Sequence, residues 1–100
     1  MNAIDILENA AGHMKQRAEQ YDAPDGERSI EKTVDMFNTL TGHSLTHEDG
    51  WLFMTFLKMV RSRQGQFKAD DYEDGSAYFA LAGEAAFRRG RVALRLSSET

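Results

Sequence analysis

The stretch Trp51–Arg61, WLFMTFLKMVR, carries apolar residues on nearly every side of a helix, yet it is too short to span a bilayer. A helix of that kind, in a chain well charged elsewhere, is expected at the centre of a helical core. Lys58 and Arg61 interrupt it one turn apart. Cations on so apolar a helix need carboxylate partners or a route to the rim.

Working outward, Thr46 opens a Thr-His-Glu-Asp run that resembles a capping box, with Asp49 at the third helical position. It predicts a helix over His47–Arg63, ended by Gly65. Upstream, Ile30, Val34, Phe37 and Leu40 predict a helix over Ile30–Thr41, capped by Ser29 and stopped by Gly42. Downstream, Asp70 or Asp71 caps a helix running to about Arg89, smoothed by Ala77, Ala80 and Gly83 and stopped by Gly90. At the start, Ile4, Leu7, Ala11, Met14, Ala18 and Tyr21 line one face of a helix over Ala3–Tyr21, with Asn2 as its cap. Residues 22–28, DAPDGER, read as a turn. The tail RVALRLSSET alternates Val92, Leu94 and Leu96 with other residues, which suits a short extended segment or a helical continuation. Four helices on short links predict an all-α, compact antiparallel four-helix bundle. It is a single domain over residues 1–100, with a core of about 3–90 and a tail of 91–100. The helix over His47–Arg63 is expected at its centre, flanked by the other three.

One hundred residues make one domain. A net charge of −4 disfavours direct nucleic-acid binding through a basic face. The chain has no Cys, so thiolate chemistry and cysteine zinc sites are excluded, and a cytoplasmic location is expected. No secretory signal pattern and no membrane span stand out. No phosphate loop, nucleophile elbow or Ser-His-Asp layout is present, so no catalytic residue is assigned.

The strongest chemical signal is acidic: Asp70, Asp71, Glu73 and Asp74 at the head of the last helix. Asp70 and Asp74, or Asp71 and Asp74, are spaced to point the same way, as oxygen ligands of magnesium would be. Glu31 and Asp35 on the second helix could complete a set of metal ligands with Asp71 and Asp74. The plainer reading is that acids in a first turn favour the helix dipole by about 0.3–1 kcal/mol each. Lys58 and Arg61 either pair with these acids or bind phosphates. His43 and His47 lie four apart, but Gly42, Ser44 and Thr46 place His43 in a link, so they are a poor metal pair.

The order of three motifs resembles a small, functionally uncharacterised helical domain common in bacteriophage genomes. Arg17, then Tyr21-Asp22 and Pro24 ahead of Ser29-Ile30, is similar to its R-x-x-x-Y-G-x-P opening. Leu57-Lys58-Met59-Val60-Arg61 is similar to its L-K-x-x-R helix. Asp70 to Leu81, with Asp74 and Tyr78, is similar to its D-x-x-x-D-x-x-G-Y-x-x-L helix. The likeness covers roughly residues 14–85. Ala77 and Asp22 stand where that family usually has Gly. That family looks distantly like the all-α MazG-type nucleotide pyrophosphohydrolases, which hold magnesium on paired acids. Of their two acid pairs, this chain offers Asp71-x-x-Asp74, whereas Glu31 and Asp35 are spaced by four.

Three functions are expected in turn. The first is a small acidic, phage-type binding protein that docks on a host protein, as an inhibitor of host defence or of a nucleic-acid-binding complex. Its contact patches would be Asp22, Asp25 and Glu27, with Asp70, Asp71, Glu73 and Asp74; it needs no cofactor. The second, implied by the resemblance, is a magnesium-dependent nucleoside triphosphate pyrophosphohydrolase with its metal on Glu31, Asp35, Asp71 and Asp74 and its phosphates on Lys58 and Arg61. The third is a homodimer built through the first helix and the tail.

Overall fold

The computed structural model describes residues 1–20 and 28–90. Four helices follow in order: α1 over Ala3–Gln20, α2 over Ser29–Thr41, α3 over His47–Ser62 and α4 over Ala69–Arg88. They form an all-α four-helix bundle. No helix among the described residues is long and apolar enough to cross a membrane. The expected alternation of Val92, Leu94 and Leu96 and the acids Asp22, Asp25 and Glu27 lie outside the described residues.

The ends of the helices follow local chemistry. At α1 the Asp5 N–H donates to Asn2 Oδ1 and the Asn2 N–H to Asp5 Oδ2, so Asn2 caps as expected. At α3 the Asp49 N–H donates to Thr46 Oγ1 and the Thr46 N–H to Asp49 Oδ2, which completes the capping box. Gly42 closes α2 at φ 73°, a left-handed conformation that side chains resist. The other two starts lie earlier than expected, α2 by one residue and α4 by two or three. Arg28 and Lys68 occupy the cap positions of α2 and α4, neither with a side-chain cap bond.

α3 and α4 form the central, antiparallel pair; α2 packs on α3, and α1 packs on α4. The expectation that α1 would flank α3 is therefore corrected. The reason lies in α1 itself. Asn9 and His13 are both hydrogen-bonded to Glu73 of α4, which turns the polar side of α1 inward. Ala10, between them, is buried, while Ile4, Leu7 and Ala11 of the predicted stripe are exposed.

α3 is likewise buried on one side only. Trp51, at 1% exposure the largest side chain wholly enclosed, lies with Thr55 and Lys58 on the inner face. Trp51 stacks on Tyr78 of α4, ring centroids 6.0 Å apart. Phe53, Phe56, Met59 and Val60 point outward, at 74%, 55%, 58% and 56% exposure. Burial all round, which the apolarity of Trp51–Arg61 predicted, does not occur among the described residues.

Candidate functional site

Three places gather chemistry. The first is the head of α4. Lys58, nearly buried, brings its Nζ to 3.0 Å from Asp74 and 3.5 Å from Asp70. Asp70 and Asp74 lie one helical turn apart, so one ammonium bridges both. Burial by itself would push the Lys58 pKa down. The hydrogen bond to Asp74 and the charges of Asp74 and Asp70 outweigh it and hold the group above the ordinary lysine value. Arg61, which was expected to act with Lys58, is exposed.

The neighbouring acids turn elsewhere. Glu73 is buried against α1, with Asn9 Nδ2 donating to it at 2.9 Å and the His13 ring N–H at 2.9 Å. The bond from His13, then that from Asn9, hold its carboxyl below the usual range, against a burial that would raise it. Asp71 is also buried; it lines a pocket with Thr55 and Lys58, whereas Asp74 lines a separate slot with His13 and Arg17. Of the acidic contact patch expected over residues 70–74, Asp70 alone is exposed. A helix distributes four acids around its axis, and two of the four directions point into the bundle.

The second place is the mouth between α2 and the start of α3. His47 Nε2 lies 2.9 Å from Asp35 and its Nδ1 3.7 Å from Glu31. Glu31 also accepts from the Trp51 indole N–H at 3.3 Å. The same cleft is lined by Arg88 at the end of α4 and by Arg89 just past it, not by Asp71 or Asp74. Arg89 pairs with Glu48 at 2.7 Å. Arg28 and Arg88 both pair with Glu84. The magnesium set Glu31, Asp35, Asp71 and Asp74 is thus divided between separate clefts. Among the described residues no group of three or more His, Asp or Glu side chains is placed to hold a metal ion. These residues do not fit the ion.

The third place is an apolar groove of about 590 Å³ between α2 and α3. Ile30, Val34 and Phe37 form one wall, Phe53 and Met54 the other, and Leu45 of the link also lines it. Two features build it. Gly50 lets the helices touch, since a Cβ there would overlap Val34 Cγ2 and crowd Ile30. Asn38 then holds the link, its amide donating to the Leu45 carbonyl and its carbonyl accepting the Leu45 N–H. Sequence reasoning had Phe37 and Phe53 in hand but assigned both to the core. The missed signal is that α3 has more apolar sides than three neighbouring helices can cover.

A family model described as "Domain of unknown function (DUF6378)" matches residues 5–86. No curated protein and no solved structure matches the chain.

Proposed function

The chain belongs to the DUF6378 family, and on that premise we propose that it is a non-catalytic binding protein that acts by docking on another protein. The observation that carries this reading is the α2–α3 groove. Its lining is almost entirely apolar, and no part of the described chain fills it. Apolar grooves between two helices suit the apolar face of an amphipathic helix, whose residues enter at three- and four-residue spacing. In the phage setting that the sequence resemblance implies, the partner is a host protein.

The acids of residues 70–74 support a different role from the one first expected. Glu73 and Asp74 join the helices, since His13 and Asn9 occupy the first and Lys58 the second, with Asp70 at the rim of the Lys58 pair. Docking through apolar contact replaces docking through charge mimicry for this part of the surface.

The test is a photo-reactive residue placed at Phe37, on the groove wall, and a second at Lys15, on the exposed side of α1. Cross-linking to one defined protein from Phe37, absent from Lys15 and lost when Leu45→Glu is added, supports the reading. Equal labelling from both positions, or labelling untouched by Leu45→Glu, sinks it.

A further inference from the structure

We propose that two copies of this chain pair through the outward stripe of α3, antiparallel about a two-fold axis at Phe56. The inference stands on that stripe, which meets the α2–α3 groove at Asp49 and Phe53, and goes beyond the docking reading, which stands on the groove.

The stripe is regular. Asp49, Phe56 and Arg63 are spaced by seven, as are Leu52 and Met59, and Phe53 and Val60. A seven-residue repeat keeps these positions on one seam of a helix, the pattern by which two helices pack along their length. Between Asp49 and Arg63 the seam holds no charge. Phe53, Phe56, Met59 and Val60 are each more than half exposed, and Leu52 is partly so.

The seam is also complementary to its own reversed copy. With Phe56 on the axis, Leu52 faces Val60 of the second copy and Phe53 faces Met59. Asp49 then faces Arg63 at both ends. Both end residues are exposed, and neither makes an ion pair among the described residues. An acid at one end and a base at the other is what an isologous antiparallel contact requires; a parallel one would set Asp49 against Asp49. This charge order is what selects a second copy over an unrelated partner.

The extent agrees. Tyr72 and Phe79 of α4 border Met59 across a shared pocket and enlarge the seam. Six half-exposed large side chains of about 100 Å² each give roughly 600 Å² per copy, near the ~800 Å² of an ordinary stable interface. Among the described residues Trp51 is the largest side chain wholly buried, and small domains that leave this much apolar surface outside commonly gain cover by self-association.

Sedimentation equilibrium of the full chain at micromolar concentration tests the pairing. The expected mass is twice that of the chain. Phe56→Glu, on an exposed position, is expected to return the single mass with its helix content intact, and Arg63→Glu to weaken association by at least about tenfold. Phe37→Glu, in the groove, is expected to leave the doubled mass unchanged, which separates this contact from docking. Because the chain has no cysteine, Phe56→Cys supplies a single thiol on the axis. It is expected to oxidise to a disulfide-linked pair far faster than Glu8→Cys on α1. A single mass for the wild type, or equal oxidation rates for the two cysteine variants, overturns the proposal.

Discussion

The Lys58 ammonium stands 3.0 Å from the Asp74 carboxylate, with Lys58 almost wholly buried and Asp74 largely so. α3 therefore carries a charge on its inner face, and α4 supplies the opposite charge at the matching level. The pair acts as a register pin between the two central helices, because sliding either one by a turn would leave a buried charge alone.

Lys58→Met is accordingly expected to destabilise the fold by about 3 kcal/mol, since it strands Asp74. The double variant Lys58→Met/Asp74→Leu should recover most of that loss, as apolar replacement of both partners removes the stranded charge. Urea melts of the two single variants and the double variant measure the coupling. Additive losses would show that the two side chains do not act as a pair.

Trp51→Ala is expected to cost about 3–5 kcal/mol, the range for truncating a buried aromatic. Trp51→Phe should cost less, about 1 kcal/mol for the lost indole bond to Glu31, beyond any change in packing. Thermal melts followed by circular dichroism check both. Near-neutral Trp51→Ala would mean that the stack on Tyr78 does not hold α3 to α4.

Much of the fold was legible in local patterns. Asn2 and Asp49 are read correctly as caps because capping depends on residues three apart, and Gly42 and Gly90 as stops because a positive φ selects glycine. The apolarity of Trp51–Arg61 did locate the central helix. It did not reveal that half of that surface would face outward, because apolarity records a demand for cover without naming what supplies it. The candidate site was harder to read. Glu73 meets His13 and Asn9 across sixty or more residues, and no local spacing encodes that. Asp70, Asp71, Glu73 and Asp74 looked like one acidic face because they are close in sequence. On the helix they turn to Lys58, to the α3–α4 pocket and to α1.

Gly50→Ala would normally favour a helix by about 0.8–1 kcal/mol. Here the added methyl meets Val34, which is buried and has little freedom about χ1. The expected result is a net loss of about 1–2 kcal/mol, with α2 displaced from α3. Gly50→Ala/Val34→Ala should relieve the overlap while opening a small void. Chemical denaturation of both variants decides it; a stabilised Gly50→Ala would show that α2 does not press on α3 at this point.

Acid should loosen the contact between α1 and α4. The Glu73 carboxyl is held below its ordinary value in the fold by His13 and Asn9. In the unfolded chain it titrates near the usual ~4.3. Below that value the unfolded state takes up a proton that the folded state resists, so stability from this group is present above pH ~4.3 and is lost as pH falls through the lower folded value. Glu73→Gln keeps an acceptor for Asn9 but removes the titration. The wild type is expected to lose melting temperature more steeply than Glu73→Gln between neutral pH and pH ~3. Hydrogen exchange should place the excess loss in α1, which packs on α4 and on no other helix among the described residues. Parallel acid curves for the two proteins would refute the role assigned to Glu73.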